Sequence, residues 1–565
     1  MTPKTGRSAL IEQCLADGMD YMFGNPGTVE QGFLDALRDY PQMKYILTLQ
    51  ESVALLMADG YARATHKPTL VQIHSTPGLG NTIGAIYQAY RGHAPLVIIG
   101  GDAGLKYVPM EAQMFGDLVA FAKPVTKWAT MVQDPNSLLR TLRRAIKLAA
   151  TPPMGPVYVC VPADILDLPV VEEVRPTFIP SARVAPDDGF IKEAAIILAD
   201  AQKPMIFMGD GIAYSGATDE LTQVAEMLGA EVWGVDAGEL NISYAHPLYM
   251  GQTGHMFGES SYPITSKGDV NLVVGTYMVP EVFPRLTDIY APGAKVIHID
   301  LNADQIAKNH RVDMGAVSDP KLTLSKLAEA LVERMTAAQK ETARARAQAI
   351  GAENEQKAQA QLEKDRTMRD DVPLQAARFM EELGAALPED AIIFDEALTS
   401  SPALTRYLLP RKPGHFFQTR GGSLGVGIPG ALGLKLLHPD KTVIGFTGDG
   451  GSMYTIQALW TAAHHHIGAK LVICNNQNYM LLKLNILQYW RDQVKLPERE
   501  FPAPFELKDP VIDFAGLAQA LGVPGVRVEK PEQVGPAIQL MLATDGPFLV
   551  DLVITDQVSG STIKK

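Results

Sequence analysis

Two short polar motifs in this chain have residue types that suit a divalent cation. They are Gly448-Asp449-Gly450 and Asn475-Asn476. One carboxylate oxygen and one amide oxygen, completed by a backbone carbonyl, are hard ligands of the kind that Mg²⁺ takes when it also holds phosphate oxygens. Gly and Asp are ordinary turn residues, so the first motif alone is a weak signal. The presence of the second motif makes the pair much more specific.

The residues around the motifs predict a strand–helix–strand unit. Apolar runs at 441–446 and 469–474 lead into the two motifs, and apolar residues recur at helical spacing between them. The right-handed crossover of such a unit sets its strands parallel in one sheet. Because open α/β sheets bind ligands at the carboxyl ends of their strands, we expect Asp449 and Asn476 to lie close together.

A second set of candidates lies near the start of the chain. Glu51 follows the apolar run 45–49 and precedes a helical pattern, and His74 follows the run 69–73. The helix dipole favours an acid in the first turn, and a histidine after a strand can be an ordinary core residue, so structural roles stay open for both. Both residue types also suit proton transfer, and imidazole titrates near neutral pH.

Together these motifs resemble those of the thiamin-diphosphate enzymes. The similarity is closest to the benzoylformate decarboxylase-like branch, which is related to acetolactate synthase and benzaldehyde lyase, and it covers nearly the whole chain. It implies an α/β fold of three doubly wound parallel-sheet domains. In chain order these are a pyrimidine-binding domain, a central domain and a diphosphate-binding domain. The strings that carry it are GNPGT at 24–28, HSTPGLGN at 74–81, RGGSLGVGIPGALGLKL at 420–436, GDGGSMYTIQALWTAA at 448–463 and NNQNY at 475–479.

The resemblance implies catalytic roles for four residues and a shaping role for a fifth. Glu51 would be the acid at the aminopyrimidine N1′ of the cofactor, and His74 would stabilise the developing intermediate and move protons. Thr28 would lie near the substrate carboxylate, and Gln113 would face the cofactor. Leu424 would wedge between the two cofactor rings, although a core leucine would look the same in one sequence.

The resemblance also implies a cofactor and metal site in the third domain. Asp449, Asn476 and the backbone oxygen of Asn478 would coordinate Mg²⁺. Thr399 and the amides after Asp449 would bind the diphosphate, helped by a helix N-terminus. The residues expected at the cofactor are Glu51, Thr399, Leu424, Gly448, Asp449, Gly450, Gly451, Ser452, Asn476 and Tyr479.

On the substrate side the sequence departs from the family. The benzoylformate branch has a second catalytic histidine in its central domain, whereas the matching stretch 275–286, GTYMVPEVFPRL, has none and offers only Glu281 or Tyr277 nearby. The predicted pocket is bulkier and more polar than an aromatic 2-oxo acid requires, so a different acyl or acceptor group is expected. Its predicted residues are Gln418, Met480, Leu481 and Leu482.

The central segment argues against a flavin. Gly209-Asp210-Gly211 follows a strand pattern and Asp300 ends another, which is a weak dinucleotide signal. Acetolactate synthases hold FAD in this domain. Here the full glycine fingerprint is missing, and Asp210 would place a negative charge beside a pyrophosphate. No FAD is therefore expected.

The length and net charge of the chain limit its domain number and the classes of partner that it can bind. A chain of 565 residues exceeds a single core, and its pattern predicts domains at 1–180, 189–335 and 373–565, with a helical linker at 336–372. The net charge of −13 argues against nucleic-acid or anionic-membrane partners. With no apolar run long enough to span a bilayer, no signal-peptide core and three scattered cysteines, a cytoplasmic enzyme for small molecules is expected.

The leading hypothesis is a lyase that depends on thiamin diphosphate and Mg²⁺. It would decarboxylate a 2-oxo acid to an aldehyde through an ylide/enamine mechanism, with accompanying carboligation to 2-hydroxy ketones. An acetolactate synthase-like or benzaldehyde lyase-like carboligase is the alternative; Gln113 and the missing histidine favour it, whereas His74 favours the decarboxylase. A non-catalytic cofactor-binding relative is a remote third possibility.

The resemblance also implies an oligomer. In this family the pyrimidine-side domain of one subunit faces the diphosphate-side domain of another. Glu51 and Asp449 would then serve one cofactor from different chains. A homodimer is the minimum that this arrangement requires, and a homotetramer is expected.

Overall fold

Three six-stranded sheets organise the structure, a computed structural model that describes residues 4–557. Every pair of neighbouring strands within these sheets is parallel, and helices cover both faces. The predicted α/β class with three parallel-sheet domains is therefore confirmed. The outermost residues of the first and last predicted domains, 1–3 and 558–565, lie outside the described part of the chain.

The strands of the first sheet are continuous apolar runs, as expected when helices bury both faces of a parallel sheet. In spatial order they are Lys44–Leu47, Tyr21–Gly24, Thr69–Ile73, Leu96–Asp102, Val157–Pro162 and Trp128–Met131. Their helices are Gly6–Ala16, Gln31–Ala36, Glu51–Thr65, Ser75–Arg91, Leu118–Ala122, Leu138–Ala150 and Ala163–Asp167. A small antiparallel pair, Lys4–Thr5 with Pro169–Val170, ties the two ends of this domain together.

The central sheet repeats this architecture. Its strands, in spatial order, are Tyr249–Gln252, Glu231–Gly234, Pro204–Met208, Val270–Val274, Lys295–Asp300 and Met314–Val317. Its helices are Asp188–Ala199, Gly211–Ser215, Thr218–Leu228, Gly258–Thr265 and Pro320–Arg334. One long helix, Ala337–Thr367, then leads to the third domain; it is mostly exposed, and Arg346 anchors it by donating to the carbonyl of Gly229 at 3.0 Å.

The third sheet carries the metal motif. Its strands, in spatial order, are Phe416–Gln418, Ile392–Glu396, Val443–Gly448, Lys470–Asn475, Phe548–Val553 and Gly525–Val528. Its helices are Ala376–Ala386, Ser401–Tyr407, Gly427–Leu437, Asp449–Ser452, Ala458–His464, Met480–Gln488, Phe514–Ala520 and Pro531–Ala543.

The connection between the two polar motifs differs in detail from the expected single helix. The chain forms a four-residue helix, Asp449–Ser452, then a turn, and then the helix Ala458–His464. Thr455 lies in the turn, and its hydroxyl donates to the carbonyl of Gly425 at 2.6 Å. This tie to a neighbouring loop interrupts the helix, and helical spacing alone could not reveal it.

Two helices join the first and third domains. The helix Glu51–Thr65 packs directly on Gly427–Leu437, and an added Cβ on Gly60 would lie 2.3 Å from the carbonyl oxygen of Gly430. Arg63 is buried at the end of this contact and donates to the carbonyls of Gln418 (2.9 Å) and Gly238 (2.8 Å). One side chain therefore links all three domains. Among residues 4–557, no helix has both the length and the hydropathy needed to cross a membrane.

Candidate active site

The two polar motifs meet at the carboxyl edge of the third sheet. The strand Val443–Gly448 delivers Asp449, and its neighbour Lys470–Asn475 delivers Asn476. The amide of Asn478 lies 3.3 Å from Oδ2 of Asp449 and 2.9 Å from Oδ1 of Asn476. Since both oxygens approach the same amide, the structure brings the two predicted ligands together.

The chemistry of this oxygen cluster fits a hard cation. Asp449 is 5% exposed, and burial raises its pKa to about 6. The pKa rises because a buried carboxylate with no cation beside it is unfavourable to ionise. Within the described residues, the side-chain Oδ1 of Asn478 is buried without a hydrogen-bond donor. The backbone carbonyl of Asn478 accepts from the Met480 amide at 2.9 Å and keeps a second lone pair. A divalent cation would satisfy these oxygens.

The chain after Asp449 forms a tight backbone turn. The amide of Gly450 donates to Oδ1 of Asp449 at 2.8 Å, and the Ser452 hydroxyl donates to the Asp449 carbonyl at 2.8 Å. The ring of Tyr479 covers Gly450 so closely that an added Cβ would lie 2.4 Å from it. The predicted diphosphate residue Thr399 is half-buried in a short 3₁₀ turn, Leu398–Ser400.

Glu396 is a buried acid that the sequence did not single out, and it holds the loop that follows Leu424. Its Oε1 accepts from the amides of Gly425 (2.7 Å) and Val426 (3.2 Å), and its Oε2 accepts from the amide of Gly427 (2.8 Å) and from the Thr447 hydroxyl. Burial raises its pKa to about 7. This carboxyl fixes the backbone on which Leu424 stands.

Replacing Glu396 by Gln is expected to loosen that loop. A glutamine keeps one acceptor oxygen and turns an NH₂ group toward backbone N–H donors, so some of these buried donors lose their acceptor. Each unsatisfied donor lowers the stability of the fold by about 1–3 kcal/mol. We expect a lower midpoint of thermal unfolding and weaker binding of thiamin diphosphate. Glu389→Gln, on an exposed side chain of the same domain, is the control. An unchanged midpoint would contradict this role.

Glu51 begins the helix Glu51–Thr65 and is 8% exposed. The side-chain oxygen of Gln50 caps the helix by accepting from the amide of Ser52 at 2.6 Å, which fixes where the helix starts. The amide of Asn81 donates to Oε2 of Glu51 at 3.1 Å, and Gly78 leaves space beside Oε1. The start of the helix Glu51–Thr65 and the side chain of Asn81 thus orient the carboxyl, and its Oε1 is directed away from Asn81.

His74 is held by a second acid that the sequence analysis missed. Its Nδ1 lies 2.9 Å from Oε2 of Glu30, which is 3% exposed. Burial raises the pKa of Glu30, and the neighbouring imidazole opposes that rise. Gly27 permits the contact, because an added Cβ would lie 1.9 Å from the His74 ring. An imidazole oriented in this way suits a proton-transfer group whose tautomer is fixed.

Glu30→Gln is expected to lower turnover by roughly 10²-fold, the lower end of a general acid–base contribution. A glutamine can turn its NH₂ group toward Nδ1 and so favour the other tautomer of His74. Steady-state kinetics with the best 2-oxo acid would measure the effect. Glu12→Gln, at a partly exposed position of the same domain, is the control. Wild-type turnover in Glu30→Gln would show that His74 needs no such orientation.

The remaining predicted residues lie in varied surroundings. Thr28 and Gln113 are exposed in loops of the first domain, and the roles proposed for them remain predictions. Met480 is buried, Leu481 is half-buried and Leu482 is 42% exposed, all on the helix that follows Asn478. The side-chain amide of Gln418 donates to the carboxylate of the buried Asp395 at 3.0 Å, so this side chain stabilises the edge of the sheet.

A cavity of about 210 Å³ lies where the three domains meet, at the carboxyl edge of the central sheet. Asp210 stands in its wall, and its carboxylate accepts from the amides of Gly238 and Glu239, both at 2.9 Å. Arg420 contributes an ion pair to Asp210 at 3.5 Å and another to Asp236 at 2.9 Å. The acid at the central Gly-Asp-Gly motif is therefore an internal brace.

The two halves of the predicted site are not bonded to each other within the described part of the chain. No hydrogen bond or ion pair found within 4–557 joins Glu51 or His74 to Asp449 or Asn476. Large apolar side chains are exposed in both of these domains. They include Tyr87, Met110 and Phe121 in the first domain and Met453 and Tyr454 just after the metal motif.

Comparison with protein families identifies each of the three domains. Residues 4–121 match the N-terminal TPP binding domain of thiamine pyrophosphate enzymes. Residues 191–327 match the central domain of the same enzymes, and residues 399–552 match their C-terminal TPP binding domain. The three matches follow the order of the three sheets.

Full-length relatives divide between two activities. A benzoylformate decarboxylase of Pseudomonas aeruginosa is 29% identical over 97% of this chain and 98% of its own. An acetolactate synthase large subunit of Haemophilus influenzae is 29% identical over 95% of this chain and 92% of its own. Among solved structures, the thiamine diphosphate-dependent 4-hydroxybenzoylformate decarboxylase of Rhodococcus jostii RHA1 superposes with a TM-score of 0.83 at 26% identity, covering 98% of this chain and 99% of its own.

Proposed function

This chain belongs to the thiamine pyrophosphate enzymes, and from that premise we propose that it is a Mg²⁺-dependent lyase that decarboxylates a 2-oxo acid to an aldehyde. The observation that carries the proposal is the pairing of Asp449 with Asn476 at one sheet edge, together with buried Glu51 and an oriented His74. The first pair fits a cation and its diphosphate. The second pair fits proton transfer.

Each of these groups has a distinct task in the proposed reaction. The chemistry that the cofactor supplies when bound is a carbon nucleophile and a sink for the electron pair left by CO₂. Glu51 would hold a proton at N1′ of the pyrimidine. His74, fixed through Nδ1 by Glu30, would present its Nε2 to the substrate and deliver a proton to the product carbon. Asp449 and Asn476 would hold the cation.

A carboligase is the second candidate. Acetolactate synthases stand beside benzoylformate decarboxylases among the relatives, and the central stretch 275–286 lacks the second histidine expected of a benzoylformate decarboxylase. Protonation and attack on a second carbonyl compete for the same acyl carbon. A protein with fewer proton donors at that carbon would favour C–C bond formation.

We also propose that two subunits share each site. The exposed apolar side chains of Tyr87 and Tyr454, together with the lack of a hydrogen bond or ion pair between Glu51 and Asp449 within residues 4–557, support a dimer. A tetramer of two such dimers follows the family arrangement. Size-exclusion chromatography with light scattering, with thiamin diphosphate and Mg²⁺ present, would test this; an active monomer would exclude it.

No flavin is expected in the purified protein. The Asp210 carboxylate is already engaged by backbone amides at the position where a pyrophosphate would need them. An anionic pyrophosphate beside this carboxylate would meet a like charge. The visible absorbance spectrum of the protein as purified measures this directly. A stoichiometric flavin band would contradict the expectation.

Product analysis separates the two candidate functions. The protein, loaded with thiamin diphosphate and Mg²⁺, would be mixed separately with benzoylformate, pyruvate and benzaldehyde, and the products followed by proton NMR. Aldehyde from a 2-oxo acid would establish decarboxylation and rank aromatic against aliphatic donors. Acetolactate or acetoin from pyruvate, or benzoin from benzaldehyde without decarboxylation, would assign the carboligase. Turnover of none of the three would count against both.

A further inference from the structure

A buried glutamine lies close to His74 in the first domain. Gln72 is on the strand Thr69–Ile73, two residues before His74, and is 1% exposed. The hydroxyl of Tyr45 donates to Oε1 of Gln72 at 2.6 Å. Gly24, on the strand between them, makes this contact possible, because an added Cβ would lie 2.4 Å from the Tyr45 oxygen and 2.6 Å from Oε1 of Gln72. With Oε1 engaged by Tyr45, the NH₂ end of the Gln72 amide is the end left to bind another group.

Two complementary polar atoms in this region have no partner. In the part of the chain that the structure describes, Nε2 of Gln72 and Oε1 of Glu30 are both buried and make no hydrogen bond. The first atom carries donor hydrogens and the second is an acceptor. Buried polar groups in folded proteins are nearly always paired, because an unpaired one is destabilising. Each atom therefore requires the kind of partner that the other provides.

The register of the sheet places these two side chains on the same face. Gln72 pairs with Ile99 on the neighbouring strand Leu96–Asp102, and Gly101 lies two residues beyond Ile99. Since side chains alternate along a strand, Gln72, Ile99 and the Cβ direction of Gly101 share one side of the sheet. An added Cβ on Gly101 would lie 2.2 Å from Oε1 of Glu30. That oxygen is therefore on the Gln72 side, above the adjacent strand.

The ionised form of Glu30 needs support from neutral donors. Its carboxylate forms an ion pair with Nδ1 of His74 at 2.9 Å, the one ion pair of Glu30 found within 4–557. The other titratable groups around it are Tyr45, Tyr158 and Cys160, and burial raises the pKa of each, so all three are neutral near pH 7. Burial also raises the pKa of Glu30 itself. A hydrogen bond donated to Oε1 would favour the carboxylate that accepts from His74.

We propose that Gln72 is a positioning residue for His74: held by Tyr45, it donates through its Nε2 to Oε1 of Glu30, directly or through one bridging water. Glu30 then stays an acceptor for the Nδ1 hydrogen of His74, and the other ring nitrogen of His74 is left to face the substrate. The inference rests on the proposed function and deepens it, because a residue with no acid–base chemistry of its own would set the tautomer of the proton-transfer group.

The test uses Gln72→Met, which keeps the length of the side chain and removes the donor. Gln88→Met is the matched control, since Gln88 is also a fully buried glutamine of the first domain. The profile of kcat and kcat/KM against pH would be measured with the 2-oxo acid that the wild type turns over fastest. We expect Gln72→Met to lower kcat by about 10-fold, the scale of a partner behind an oriented histidine. Gln88→Met should keep the wild-type profile.

The shape of the pH profile should change as well. An ionised Glu30 that has lost a donor is less stable, so it takes up a proton at higher pH. The acid limb of the Gln72→Met profile should therefore move to higher pH. Tyr45→Phe removes only a hydroxyl and should move the limb in the same direction by a smaller amount; it decides the question if Gln72→Met does not fold. Wild-type acid limbs in the variants that fold would overturn the proposal.

A double variant shows whether Gln72 acts through Glu30. With Glu30→Gln already present, Gln72→Met should cause little further loss of turnover, because the carboxylate that it supports is gone. If the two losses instead multiply, Gln72 acts independently of Glu30 and its role is structural. That result would also overturn the proposal, and it would leave the proposed function standing.

A crystal structure of the wild type tests the contact without any measurement of activity. We expect Nε2 of Gln72 within hydrogen-bond distance of Oε1 of Glu30, or one ordered water between them. An amide nitrogen bonded elsewhere overturns the proposal even for an active enzyme. A cofactor-loaded wild type that neither decarboxylates 2-oxo acids nor joins aldehydes overturns the proposed function, whereas the contact between Gln72 and Glu30 is confirmed or excluded by the crystal structure alone.

Discussion

Glu51→Gln is expected to lower turnover by roughly 10²–10⁴-fold, the contribution of one general acid–base group. The substitution keeps the shape of the side chain and its contact with Asn81 but removes the acidic proton that the pyrimidine nitrogen would share. The helix start should survive, because Gln50 provides the cap. Steady-state kinetics at saturating thiamin diphosphate and Mg²⁺ would measure the loss.

The control for this variant is Glu329→Gln, an exposed glutamate on the helix Pro320–Arg334 of the central domain. It should retain full activity. Cofactor affinity of Glu51→Gln, measured by titration, should fall much less than turnover does. Turnover within about twofold of the wild type would remove Glu51 from the acid role that the family motif assigns.

Asp449→Ala is expected to abolish retention of Mg²⁺ and, with it, of the diphosphate. It removes the only carboxylate of the proposed ligand set, which burial already holds at a raised pKa of about 6. We expect affinity for Mg²⁺ with thiamin diphosphate to fall by at least about 10²-fold, because even partners behind a metal ligand contribute about 10–10²-fold. Isothermal titration calorimetry would measure this affinity.

Asp449→Asn is the graded comparison, since it keeps an oxygen ligand and removes the charge. Its affinity should lie between those of the wild type and Asp449→Ala. Asp440→Ala, an exposed acid in the loop before the same strand, should bind as the wild type does. Unaltered cofactor retention in Asp449→Ala would place the metal elsewhere.

The two inactive variants together test whether sites are shared between subunits. In a mixed dimer of Glu51→Gln with Asp449→Ala, one shared site carries both substitutions and the other carries neither. Unfolding and refolding an equal mixture would form such dimers as half of the population, which restores about a quarter of wild-type activity for a two-fold symmetric pair. Sites built within one chain would recover nothing.

The sequence by itself determined the fold class and predicted which residues would hold the cofactor. Apolar runs followed by Asp449 and Asn476 specify strand ends, and parallel strands place their carboxyl ends at one edge whatever the distance in sequence. Glu51 was found in the same way, because its position after a strand and before a helix is a local pattern. Local patterns of this kind can be recognised in a single sequence without knowledge of the tertiary contacts.

Only the tertiary structure decided which groups position those residues. Glu30 reaches His74, and Glu396 holds the loop beside Leu424, through contacts between distant segments. Nothing in the types of these residues distinguishes them from surface acids. Their roles arise from burial and from distances set when separate strands and helices pack, and a linear pattern does not encode either quantity.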